Sequence, residues 1–231
     1  MTPETAIIPE LSVRDPQAAQ LWLCGVFGFV AAGDELRLGS QRIALTKGAP
    51  GGHGRIDHLA LAVADVDLAL APLLAAGVRL DDTTPDGPLE IAEFWDSGVR
   101  YAFVQGPEGA RIELCARRGG DTRPRMPDPA LPDHPLPGHD HIGIPCTDIT
   151  ATEAFFLSLG LQPVAAIDLI RPEGRIPVRF LRLGSSVVEL YAPSVPPACA
   201  AQGLWAGLRL TGTALTKGPR VGPDGLRLSV V

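Results

Sequence analysis

The chain has 231 residues, 45% hydrophobic and 20% charged, with a formal net charge of −6 and a pI near 5.3. That length accommodates one or two domains with a sizeable core, and an acidic chain without a basic run or an aromatic-plus-basic stripe excludes a nucleic-acid footprint. No apolar run approaches the roughly 20 residues of a membrane span, and "MTPETAIIPE" lacks the regions of a secretory leader, so a cytoplasmic protein with no membrane partner is expected.

The four cysteines (Cys24, Cys115, Cys146 and Cys199) are far apart and form no CxxC pair. Zinc-ribbon and thioredoxin-like readings are therefore excluded, and reduced thiols are the default. Proline marks the boundaries, because it lacks the backbone donor and fixes φ. The stretch "GGDTRPRMPDPALPDHPLPG" reads as an extended linker over residues 119–137. "KGAPGGHG" and "APSVPPACAAQG" make two further breaks. Four pieces remain: residues 1–50, 55–118, 138–193 and 203–231.

In the first piece "IIPELSVRD" reads as a strand, and "PQAAQLWLCGVFGF" as a helix with Pro at its first position. "DELRLG" and "QRIALTKG" are two more strands. The second piece opens with the period-two strand "DHLALAV". A helix "DVDLALAPLLAAG" follows, with an Asp at the N-cap position and a terminal Gly, and then strands "EIAEFWD", "VRYAFVQG" and "ARIELCAR". The third piece repeats that order: "HIGIPC", helix "DITATEAFFLSLG", then "PVAAIDLIR", "VRFLRLG" and "VVELYAP". The fourth, "LWAGLRLTGTALTKGPRVGPDGLRLSVV", shows no clear helix and shares "ALTKG" with the first. Repetition on this scale specifies the architecture. The expected fold is α+β, built from βαβββ modules that form cup-shaped mixed sheets, with two intact inner modules and two degenerate outer ones.

Each intact module places a His on its first strand and a Glu on its last: His58 with Glu113, and His141 with Glu189. Alternate residues of a strand share a face. His58 thus shares a face with Ala60 and Ala62, while Leu59, Leu61 and Val63 face the other way. Glu113 between Ile112 and Leu114, and Glu189 between Val188 and Leu190, are in the same phase. All four point away from the helix-covered core, into the hollow of a curved sheet. Two imidazoles and two carboxylates form a set suited to Zn, Ni, Co, Fe or Mn, and not a thiolate site. Such an ion could take two adjacent substrate oxygens and act as a Lewis acid, with Glu113 or Glu189 as the base. In the degenerate first piece, Ile8 aligns with His58 and Ala44 with Glu113.

The motifs "DHLALAV.D" with "GP.GARIEL", and "DHIGIPCTD......F...LGL" with "FLRLGSSVVELYAP", resemble the vicinal oxygen chelate superfamily. That superfamily comprises glyoxalase I, methylmalonyl-CoA epimerase, extradiol dioxygenases and bleomycin- or fosfomycin-resistance proteins. The resemblance spans most of residues 55–193. It implies two modules closing one cup, and a divalent metal held by His58, Glu113, His141 and Glu189. It also implies a small-molecule substrate, in a monomer with an internal pseudo-dimer or in a homodimer. A full four-ligand set favours a lyase or isomerase that moves a proton beside a carbonyl, as in glyoxalases and epimerases. A ring-cleaving dioxygenase and a non-catalytic small-molecule binder are the alternatives. Modules pairing in chain order would split the ligand set between two cups; pairing of the two inner modules, the preferred arrangement, would assemble it in one.

Other polar residues receive plainer readings. Asp57 and Asp140 read as strand-entry residues, with orientation of the neighbouring histidines as the other reading. His53, His134 and His139 fall in Gly/Pro-rich loops and read as solvent-exposed, although His139 shares strand phase with His141. Arg171, Arg175, Arg179 and Arg182 read as a solvated face.

Overall fold

A computed structural model describes residues 5–49, 51–95, 97–118, 138–195 and 202–231; the expected linker at 119–137 lies outside the described residues. The first piece forms β1 (Ala6–Val13), α1 (Pro16–Trp22) running into a π-helical turn at Leu23–Phe27, β2 (Val30–Ala32), β3 (Glu35–Leu38) and β4 (Gln41–Lys47). The second forms β5 (His58–Ala62), α2 (Val66–Ala75), β6 (Leu89–Ile91), β7 (Val99–Gln105) and β8 (Arg111–Arg117). The third forms β9 (Gly138–Pro145), α3 (Ile149–Ser158), β10 (Gln162–Arg171), β11 (Gly174–Leu183) and β12 (Ser186–Tyr191). Without a helix of its own, the last contributes β13 (Trp205–Thr211), β14 (Gly218–Val221) and β15 (Arg227–Val230).

Each helix starts on an aspartate. Asp15 accepts from the N–H groups of Gln17 and Ala18, Asp65 from that of Leu68, and Asp148 from that of Ala151. These caps satisfy donors left free in a helix's first turn, which assigns a structural role to the Asp that follows each motif histidine at a distance.

The strands form two curled mixed sheets, each a half-barrel. The inner modules share an eight-stranded sheet in the order β10-β11-β12-β9-β5-β8-β7-β6, and the outer pieces share a seven-stranded one, β14-β15-β13-β1-β4-β3-β2. At the centre of the larger sheet β5 and β9 run antiparallel, with His58 opposite Gly143 and Ala60 opposite His141. The strands β8 and β12 flank this pair in parallel, with Glu113 beside Ala60 and Glu189 beside Gly143. A local two-fold relation exchanges the modules.

Strand alternation divides the sheet as its apolar pattern requires. Leu59, Leu61, Ile112, Leu114, Val188 and Leu190 are fully buried in the main core, each worth about 1.5–3 kcal/mol against exposure. Their neighbours on the other face line the cup. The two sheets meet through that core and through hydrogen bonds such as Trp205 Nε1–H to the Arg111 carbonyl at 3.0 Å.

One expected strand is shortened. Of "EIAEFWD" only Glu90 and Ile91 pair, as the end of β6; beyond them the chain turns, and Trp95 adopts a left-handed φ of 56°. The reason lies in what the turn buries: Phe94 and Trp95 fold over the cup against Phe180.

Candidate metal centre

The register brings all four ligand-type side chains together, although they come from four strands. His58 Nε2 lies 3.1 Å from His141 Nε2 and 3.1 Å from Glu113 Oε2. His141 Nε2 lies 3.2 Å from Glu189 Oε2 and 3.4 Å from Glu113 Oε2, while His58 to Glu189 is longer, at 3.8 Å. Each glutamate approaches from its own module's side of the central strand pair. His58, His141 and Glu189 offer ligand atoms that all lie within 4.8 Å of one another. Glu113 touches both imidazoles without joining that mutual set. All four side chains are buried.

The other imidazole nitrogens are already engaged. His58 Nδ1 is 2.9 Å from Asp57 Oδ2, and His141 Nδ1 is 2.9 Å from Asp140 Oδ1. A carboxylate can only accept there, so both Nδ1 atoms carry the proton and both Nε2 lone pairs face the centre. This is the orienting role, the less favoured of the two readings of these aspartates from the sequence. Asp57 is itself held by Arg111 Nη1 at 2.5 Å, and Arg111 Nε donates to Asp81 at 3.0 Å. Arg117 stands 3.8 Å from Asp140.

Two imidazole lone pairs 3.1 Å apart repel unless a proton or a cation sits between them. Donors bound to one divalent ion at about 2.1 Å are about 3.0 Å apart on an octahedron and about 3.4 Å apart on a tetrahedron. Four of the five contacts fall in that range, and His58, His141 and Glu189 are positioned to bind such an ion. With protons alone at the centre, burial would lower the His58 pKa, but hydrogen bonds and charges from Asp57 and Glu113 outweigh it and raise the value to about 9. Burial likewise opposes a charged His141, and the charges of Glu189 and Glu113, with the Asp140 hydrogen bond, lift it well above the ordinary histidine range. Burial would raise Glu113, and the two imidazoles bring it below its usual value. Asp140 is held down at about 2 by His141 and Arg117 despite its burial. The carboxylates around the two imidazoles favour positive charge at this centre.

Glycine at 143 makes room for it. A Cβ there would lie 2.5 Å from His58 Nδ1 and closer still to Cε1 and Nε2. The walls above are aromatic: Phe103 and Phe180 stand opposite Glu113 and Glu189 in register, and Tyr101, Tyr191, Phe94 and Trp95 complete a cavity of about 450 Å³. The paired segments "YAFVQG" and "VRFLRLG" carried a sequence signal for the first two rings. Nothing in the pattern distinguished Arg111 or Gly143.

Of the remaining histidines, His139 departs from its expected place in an exposed loop. It lies in β9, its ring bonded to Gln41 and accepting from the Val187 N–H at 2.8 Å, and burial brings its pKa down to about 4. The strand starts at Gly138, immediately past the proline-rich stretch. His53 stands 3.3 Å from Arg111, and His134 is outside the described residues. Arg171, Arg175 and Arg179 form ion pairs with Glu93, Asp168 and Glu153.

In the smaller sheet, Glu10 pairs with Ala44 as Ala60 pairs with Glu113. Ile8 and Ala44 therefore occupy the positions of His58 and Glu113, as the sequence alignment expected. Gly207 and Ser229 take those of His141 and Glu189. Across that sheet's centre runs an ion pair, Arg209 Nε to Glu10 Oε1 at 2.6 Å.

No family profile matches the sequence, and no curated protein matches it either. Solved structures do. A point mutant of glyoxalase I from Zea mays superposes with a TM-score of 0.70 at 16% identity, covering 99% of this chain and 93% of that one. The vicinal oxygen chelate fold is the fold of this chain. Unmutated Zea mays glyoxalase I gives 0.64 at 16% identity, over 99% and 92% of the two chains. A candidate dioxygenase from Bacillus subtilis gives 0.63 at 14%, over 96% and 83%. Likeness at these identities establishes the vicinal oxygen chelate architecture and leaves the chemistry to the residues. Among the described residues, no helix is long and apolar enough to cross a membrane.

Proposed function

We propose that the protein is a metal-dependent enzyme of the glyoxalase or epimerase type, a lyase or isomerase that moves a proton beside a carbonyl. The observation that carries this reading is the pair of Nε2 atoms 3.1 Å apart, each with its Nδ1 bonded to an aspartate and each faced by glutamate oxygens. His58, His141, Glu113 and Glu189 would hold a divalent ion of the zinc, nickel, cobalt, iron or manganese group. When bound, it supplies Lewis acidity toward a substrate offering two neighbouring oxygens.

The chain's own groups do the rest. Asp57 and Asp140 fix the imidazole tautomers. Glu113 or Glu189 takes the proton from carbon: the C–H bond breaks, an O–H bond forms on the carboxyl group, and the electron pair moves onto the carbonyl oxygen. Returning the proton to a carbon completes the reaction. Aromatic walls limit water at the reacting carbon. All four residues come from one chain, so a second copy is not needed to complete the site.

The aromatic cavity supports a second reading, ring opening of a vicinal diol with dioxygen as co-substrate. Metal analysis of protein purified without added ions, combined with oxygen uptake on catechol, separates the two. Zinc, nickel or cobalt without oxygen uptake supports proton transfer; iron with uptake overturns it. Retention of small-molecule binding by His58→Ala/His141→Ala protein that holds no metal would indicate a non-catalytic binder.

A further inference from the structure

Alternate residues of a strand share a face, so Arg111 and Glu113 lie on the same side of β8. The Arg111 guanidinium spans two carboxylates. Its Nη1 donates to Asp57 Oδ1 at 2.5 Å and its Nε to Asp81 Oδ1 at 3.0 Å. Nη2 stands 3.3 Å from His53 Nε2, and Cζ is 5.7 Å from the centroid of the Phe103 ring. Asp81 is fixed in its turn: Oδ1 also accepts from the Thr83 N–H at 3.0 Å and from the Thr83 hydroxyl at 2.5 Å, and the Asp81 N–H donates to the Phe103 carbonyl at 2.9 Å. From the outer sheet, Trp205 Nε1–H reaches the Arg111 carbonyl. The arginine is thus held at both ends.

The two oxygens of Asp57 have different partners. Oδ2 meets His58 Nδ1 at 2.9 Å, and Oδ1 meets Arg111. A carboxylate held through one oxygen turns easily, because its last torsion is broad. Held through both, it keeps one orientation and imposes it on the imidazole. The side chains of Asp57, Arg111 and Asp81 are 15%, 16% and 6% exposed, so water is a poor substitute for the guanidinium, and a buried Asp57 without it would be uncompensated. Serving two acceptors at once requires the planar fork of arginine; an ammonium group is a point donor. The relation that exchanges the modules does not repeat this clamp. Glu189 matches Glu113, so Val187 of β12 stands in the place of Arg111. Asp140 instead faces Arg117 at 3.8 Å, again from β8.

We infer that Arg111 is a positioning residue of the centre. By clamping Asp57 it sets the direction of the His58 Nε2 lone pair, and it does so for His58 and not for His141. Its effect on metal affinity rests on the metal reading above, whereas the clamp on the ring stands without it.

The test compares the full chain with its Arg111→Gln and Arg111→Lys variants. Competition with a chelating dye measures zinc affinity. Proton NMR of the EDTA-treated proteins reads the Nδ1–H signals of His58 and His141, assigned with the His58→Ala and His141→Ala proteins. Both hydrogen-bonded ring protons should be visible in the wild type. In Arg111→Gln, zinc affinity should fall at least about tenfold. The His58 signal should broaden into exchange with water while that of His141 persists. Arg111→Lys keeps the charge but not the fork; it should show the same selective loss, and it decides if the glutamine variant fails to fold. An unchanged His58 signal overturns the inference, and so does wild-type zinc affinity in both variants. Loss of both ring signals together also overturns it, since that marks general loosening. A wild-type protein that takes up no zinc sinks the metal reading instead, and selective loss of the His58 signal would then still support the clamp.

Discussion

Gly143→Ala tests the centre through one methyl group. The new Cβ would sit 2.5 Å from His58 Nδ1 and nearer to Cε1 and Nε2. An ordinary carbon–nitrogen contact is about 3.5 Å, so the ring must retreat by about 1 Å or more. It has little freedom to do so, being bonded to Asp57 on one side and set at 5.0 Å from the Phe103 ring on another. Ligand distances tolerate only about 0.2 Å, so the shift removes His58 from the donor set. Losing an orienting partner alone costs 10–100-fold in metal affinity, and losing a ligand is expected to cost at least about 100-fold. Overpacking adds about 1–3 kcal/mol of destabilisation. Competition titration of zinc against a chelating dye measures the first effect, and thermal melts by circular dichroism the second. Gly25→Ala, where a Cβ would meet nothing within 4 Å, is the control and should retain wild-type affinity. A Gly143→Ala protein with wild-type zinc affinity would refute the assignment of His58 to the centre.

Two further outcomes are expected. Because His58 is raised to about 9 in the folded metal-free protein, its contribution to stability is complete below the ordinary histidine value of about 6.5 and fades as pH rises through 9. His139 works in the opposite sense: lowered to about 4, it contributes fully above about 6.5 and loses that contribution as pH falls toward 4. EDTA-treated protein should therefore melt highest near pH 6.5, and a melting temperature that climbs steadily from 6.5 to 9 would contradict the charge assignment. Asp140→Asn, which keeps the shape beside His141 Nδ1 and removes the charge, should lower zinc affinity about 10–100-fold; an unchanged affinity would show that Asp140 does not orient the ring.

Pattern alone reached a long way toward this structure. Alternation in "DHLALAV" and "RIELCAR" fixed which face His58 and Glu113 occupy, because a strand residue has only two faces and the apolar one must be buried. The aspartate cap at position 65 was legible for a similar reason, since the helix start is set by a few neighbouring residues. Even the eroded alignment of Ile8 with His58 survives in the pairing of β1 with β4.

Other features required the tertiary structure, because they depend on residues far apart in the chain. Which modules share a sheet is decided by strand β5 meeting β9, a pairing that local periodicity does not encode. The shortening of the "EIAEFWD" strand follows from Phe94 and Trp95 finding Phe180, a residue of another module. His139 reads as a loop residue until Gln41, from the first piece, supplies its partner. Gly143 matters because a ring from a neighbouring strand lies where its side chain would be. The sequence by itself determined the repeating unit and the direction each ligand-type side chain faces, both consequences of local geometry. Only the packing of one module against another decided that those side chains share a single hollow, because that proximity exists nowhere along the chain.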